Sequence, residues 1–164
     1  MNRFLAATGG AALALTTTPA AAQVAASPPA TGRVQIVKPL TLERIANLDF
    51  GTIVVQGDGT ATLDTAGNIT CTVDLTCSAT GAPAEYKVTG TNNQQVTINK
   101  PNVTLTNTAN PGTPLTLVLS GPSSVTLPNS GTTGVNFKLG GSITIPSSTR
   151  GGLYTGDMTV TVQY

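Results

Sequence analysis

The sequence predicts an all-β protein, an antiparallel immunoglobulin-like β-sandwich, and three observations predict it. The first is composition: there are 30 threonines, Val, Gly and Asn are common, and helix formers are scarce beyond the first 22 residues. Thr and Val are stiff at χ1 and suit a pleated surface. The second is rhythm. Apolar residues alternate with polar ones in short runs, and the runs recur about every 8–12 residues between clusters of Gly, Pro, Asn and Ser, the spacing of a sandwich or barrel. The third is that no stretch of about 10 residues or more carries the 3.6-residue period of a helix.

The elements follow in order. Residues 1–22 read as a secretory signal peptide: Arg3 is basic, Phe4 to Leu15 is apolar, and Ala20-Ala21-Ala22 offers a small-residue cleavage site before Gln23. The apolar run is about 12 residues, short of the roughly 20 that span a bilayer. QVAASPPATG, residues 23–32, carries two adjacent prolines among small residues and reads as a flexible arm. The single domain is expected over 33–164. Val34, Ile36, Leu40 and Leu42 share one parity, interrupted at Pro39. They serve either as a strand donated to another molecule or as the domain's own first strand, and the first-strand reading is favoured.

Strands are then expected in NLDFGTIVV (47–55), TATLD after the turn Gly57-Asp58-Gly59, NITCTV (68–73), AEYKVTG (84–90) and QQVTINK (94–100). NVTLTN (102–107), LTLVLS (115–120), VNFKL (135–139) and SITIP (142–146) continue the set. GGLYTGDMTVTVQY (151–164) closes it, with Met158, Val160, Val162 and Tyr164 on one face. That alternation predicts a fully paired strand with those four side chains buried.

Charge narrows the function classes. The chain has eight basic and seven acidic residues, and charged residues make up 9%. Without Arg3 the balance is seven to seven. Nucleic acid wants a basic patch, which is lacking. No span is expected in the mature chain. Histidine is absent, which removes Ser-His and Cys-His catalysis and most zinc sites. No local spacing pairs two carboxylates as a glycosidase requires. Asp58 and Asp64 lack the ligand spacing of a calcium loop. Asp49-Phe50-Gly51 has none of the other kinase motifs around it; Phe50 reads as core and Gly51 as a bend. No enzyme activity, cofactor or metal is expected.

Cys71 and Cys77 are the only cysteines. In an exported protein they predict a disulfide. A straight strand would hold their Cα atoms about 20 Å apart, whereas a disulfide needs about 7 Å or less. The chain must therefore turn back between them, near Asp74.

The C-terminal strand carries a resemblance. Gly151 is the fourteenth residue counted from the end, Tyr154 follows, and the alternating strand ends in Tyr164. This resembles the last strand of chaperone–usher pilus subunits, the archaic spore-coat-protein-U type above all, although their aromatic is usually penultimate. VKPLTLERIANLDFGTI (37–53) with the "YTG…VTV.Y" ending also resembles a group of exported bacterial domains of unknown function. The pilus likeness implies a sandwich lacking one strand. A periplasmic chaperone fills its groove first, and an identical subunit fills it next at an outer-membrane usher. The expected function is a non-catalytic structural or adhesive subunit at the periplasm, cell surface or beyond. The alternative is a self-contained secreted binding module, carbohydrate being one candidate ligand, with Tyr86, Tyr154 and Tyr164 as its aromatics and Tyr86→Ala as its test.

Overall fold

The structure, a computed structural model, describes residues 24, 27–129 and 133–164. The expected signal peptide at 1–22 lies outside the described residues, and the expected arm at 23–32 is described in part. The chain divides into two units, residues 1–35 and 36–164. In the first, the described residues are exposed and form no helix or strand. The second holds twelve strands and, among the described residues, no helix.

Every ladder is antiparallel. β6 (Ala84–Thr89) lies between β1 (Thr41–Ala46) and the long strand β11 (Val135–Ile145). β11 continues between β3 (Gly59–Leu63) and β9 (Leu115–Ser120), with β4 (Ile69–Cys71) beyond β3 and β8 (Val103–Leu105) beyond β9. A second sheet has the order β10 (Ser124–Thr126), β7 (Gln95–Asn99), β12 (Thr161–Gln163). β2 (Ile53–Val55) pairs with β5 (Leu75–Cys77).

Two apolar clusters lie between these layers. One joins Tyr86 and Val88 of β6 and Phe137 and Leu139 of β11 to Val96, Ile98 and Leu127. The other joins Leu63, Leu105, Leu117, Ile143 and Ile145 to Phe50 and Leu75. β11 serves both. The sequence suggested two strands here, broken at Gly140-Gly141; the structure has one. Odd residues from Phe137 to Ile145 stay buried throughout, so the pleat runs on unbroken while the neighbours change. Residues 135–139 face β6, and residues 141–145 face β3. The glycines permit that exchange. A Cβ on Gly140 would lie 2.1 Å from the Leu63 carbonyl oxygen, and one on Gly141 would lie 2.8 Å from that of Val118. Both backbones approach too closely for any larger residue.

Cys71 and Cys77 are disulfide-bonded with their Cα atoms 6.2 Å apart. The chain turns back between β4 and β5, where the Leu75 N–H donates to the Thr72 carbonyl at 2.9 Å. Phe50 is buried. Gly51 takes φ +69° while its N–H donates to Asp49 Oδ1 at 2.7 Å. No helix among the described residues is long and apolar enough to cross a membrane.

Candidate functional site

The four residues read as a donor arm or first strand separate in space. β1 begins only at Thr41. Leu42 lies in it opposite Val88, and Leu40 and Leu42 pack on the Tyr86–Phe137 cluster. Val34 and Ile36 precede the strand and are 84% and 83% exposed. Pro39 has no N–H to give a ladder, and the Lys38 N–H is spent on Thr91 Oγ1 at 2.5 Å. For these two residues the first-strand expectation does not describe the fold.

The C-terminal strand also departs from expectation. Its ladder covers Thr161–Gln163 against β7, with one further bridge from Thr155 to Thr106. Thr161 opposes Asn99, so between the two pairings five residues of one segment, 156–160, answer six of the other, 100–105. The extra residue falls where Lys100-Pro101-Asn102 runs. Pro101 offers no donor, and the mismatch leaves a bulge. Met158, Val160 and Val162 are half-buried rather than buried, and Tyr164 is 42% exposed. Among the described residues, the edge of this segment away from β7 and β8 has no ladder partner.

That free edge borders a groove of about 900 Å³. One wall is the unbroken run Thr149–Met158; the other is Arg44 with residues 46–51, Ile53 and Val55. Its floor is core: Leu105, Leu115, Leu117, Ile143 and Ile145, with Ala84 and Tyr86 toward one end. Leu48 on one wall and Met158 on the other each pack against both apolar clusters. The groove is thus a gap through the layer that elsewhere covers the core. An extended chain fits its chemistry: a free strand edge for main-chain hydrogen bonds and an apolar floor for alternate side chains.

The Thr149–Met158 wall is held from behind. Asn107 is 5% exposed. Its Nδ2 donates to the Gly151 carbonyl at 3.3 Å, and its Oδ1 accepts the Asn110 N–H at 2.9 Å. Asn110 Nδ2 donates to the same carbonyl at 3.3 Å. Gly152, at φ +143°, lies against Asn107, where a Cβ would meet Nδ2 at 2.3 Å. The Tyr154 hydroxyl donates to the Arg150 carbonyl at 3.0 Å, and the Arg150 guanidinium donates to the Pro111 carbonyl. Sequence reasoning passed over Asn107; its only signal is a polar residue at an inward position in the alternation of 102–107.

At the far end the seam is filled. The Tyr164 hydroxyl donates to the Lys38 carbonyl at 2.6 Å and accepts the Thr91 N–H at 2.7 Å. Leu40, Leu127 and the Tyr164 hydroxyl crowd over Gly90, where a Cβ would lie within 3.1 Å of all three. Elsewhere the ionisable groups hold turns. Asp58 Oδ1 accepts the Ser147 N–H at 2.6 Å, which holds its carboxyl below its ordinary value. Asp64 accepts from the Asn68 side chain and backbone and is lowered likewise. Burial raises the Tyr86 phenol, with Arg44 opposing. The Tyr86 ring stacks on Phe137 at 5.6 Å, so of the three tyrosines considered for sugar stacking, the one chosen for the test belongs to the core.

Residues 40–164 match the family described as Domain of unknown function, DUF4402. The chain belongs to the DUF4402 family. No curated protein and no solved structure matches it. The DUF4402 match begins at Leu40, so it covers all twelve strands and both groove walls, and it excludes Val34 and Ile36.

Proposed function

We propose that this DUF4402 chain is an exported, non-catalytic subunit that assembles by β-strand addition, its groove receiving residues 30–38 of a second copy. The observation that carries the reading is the groove itself, an opening onto core residues beside a strand edge with no ladder partner. An edge of that kind invites pairing with another chain. The arm supplies what the groove lacks. Val34 and Ile36 share a face, Gly32 takes the preceding position on it, and both apolar side chains are exposed. The near-neutral mature chain adds little repulsion between copies. The likeness to pilus subunits supplies the remaining partners: a periplasmic chaperone that shields the groove and an outer-membrane usher where exchange occurs.

The test is to secrete the mature chain and its Val34→Asp/Ile36→Asp variant into a periplasm and measure size by light scattering. The unchanged chain forms multimers. The variant stays smaller, and its far-ultraviolet spectrum is unaltered because the substituted residues are outside the fold. A stable monomer of the unchanged chain at high concentration overturns the proposal.

A further inference from the structure

The groove ends before the C-terminal strand does. Its lining includes Met158 but neither Val160, Val162 nor Tyr164, and it includes Arg44 but neither Leu40 nor Leu42. Beyond Met158 the same two chain segments continue, yet side chains close the space between them. The Tyr164 phenol reaches the Lys38 carbonyl, 126 positions away in sequence, and the Thr91 amide on the β6–β7 turn. Thr91 Oγ1 lies 3.2 Å from the phenol oxygen and also holds the Lys38 N–H. One phenol therefore ties together the segment leading into β1, a turn, and the end of the C-terminal strand. An added strand would need the space the ring occupies, since a strand takes about 4.8 Å to each neighbour.

We infer that Tyr164 is an end-stop that sets the length of strand the groove accepts. The inference rests on the strand-addition reading above. Beyond the bend at Gly151-Gly152, the extended part of the wall, Leu153 to Met158, admits a segment of about six residues, hence about three inward side chains at alternate positions. The matching partner is a short extended peptide with three successive alternate positions that are small or apolar. Gly32, Val34 and Ile36 have that pattern. A longer apolar strand gains nothing while the phenol is in place, so the residue acts on specificity by exclusion.

The experiment uses the full mature chain with Val34→Asp/Ile36→Asp in its own arm, which keeps the groove vacant and serves below as the unchanged protein, together with synthetic peptides, and binding is followed by calorimetry. The short peptide is residues 30–38. Two longer ones add two valines at alternate positions, one at each end. With the unchanged protein, short and long peptides bind within about threefold of each other. With Tyr164→Ala, one longer peptide binds at least about tenfold more tightly than the short one, as two further buried valines imply. Tyr164→Phe keeps the ring but unties it, and gives the same preference at a smaller ratio. Thr91→Val, which removes the hydroxyl that holds Lys38, shifts the ratio the same way. A structural role alone would weaken all peptides equally and leave the ratio unmoved, which overturns the inference. So does a tenfold preference for a longer peptide in the unchanged protein. If no peptide binds any of the proteins, strand addition itself is wrong and the end-stop falls with it; a bound short peptide with an unmoved ratio removes the end-stop alone.

Discussion

At the scale of single residues, two polar groups and one covalent bond hold turns and walls that packing alone leaves loose. Asn107 is the most consequential. Asn107→Ala removes the two hydrogen bonds of a buried side chain, one to the Gly151 carbonyl, which keeps Asn110 Nδ2, and one from the Asn110 N–H, at a cost of about 1–3 kcal/mol. A fall of that size in the unfolding free energy from urea denaturation checks it, and faster protease cleavage within 149–156 shows that the loss falls on the groove wall. The disulfide closes a small loop, since the two cysteines are six positions apart. Chain entropy gives it about 2 kcal/mol, so Cys71→Ser/Cys77→Ser should lower stability by that amount and keep the fold. Asp58 carries a pH dependence whose sign is fixed by its hydrogen bonds to Ser147, which lower its folded pKa. Its contribution is complete above the unfolded value of about 4 and is lost as pH falls through the lower, folded value. The melting-temperature gap between the unchanged chain and Asp58→Asn is therefore constant near neutrality and narrows in acid. A gap that widens in acid contradicts the assignment.

At the scale of elements, the decisive piece is β11. It supplies Phe137 and Leu139 to one apolar cluster and Ile143 and Ile145 to the other, so the two halves of the sandwich share one strand. Gly141→Val would drive side-chain atoms into Leu117 and the Val118 carbonyl. Overpacking of that kind costs about 1–3 kcal/mol; chemical denaturation measures it, and a neutral result would show that β9 can shift away. β7 and β9 were legible in the sequence because each alternates cleanly between core and solvent, and β6 because it alternates buried with half-buried residues. β11 was not, because a Gly-Gly pair looks locally like a turn and its need for glycine arises from β3 and β9, far off in the chain. The C-terminal strand was half legible. Its inward parity is visible, but its mismatch with 99–106 depends on Pro101 in a neighbouring element. The groove was invisible altogether, since a gap between residues 44–55 and 149–158 leaves no mark in either segment.

At the scale of the whole molecule, an open groove and an exposed apolar arm on one chain make a pair that need not meet within that chain. The exposed arm residues precede the end-stop at Lys38–Tyr164, whereas the groove lies along Thr149–Met158, its extended part from Leu153. Joining a second copy of residues 30–38 to Tyr164 through a flexible linker therefore offers each molecule its own occupant. Met158 is six positions from Tyr164, about 20 Å along a strand. A Gly/Ser linker of about 15 residues has a typical reach of about 20 Å and spans it readily. The linked segment then acts at millimolar effective concentration. If that exceeds its dissociation constant about 100-fold, the fold gains about 2.7 kcal/mol, or about 10 °C in melting temperature. The linked chain should be a monomer where the unchanged chain forms multimers. Introducing Val34→Asp/Ile36→Asp only in the appended copy should abolish both gains while leaving the first copy able to assemble. A linked chain that melts no higher than the unchanged one and still multimerises would mean that the copies meet through some other surface.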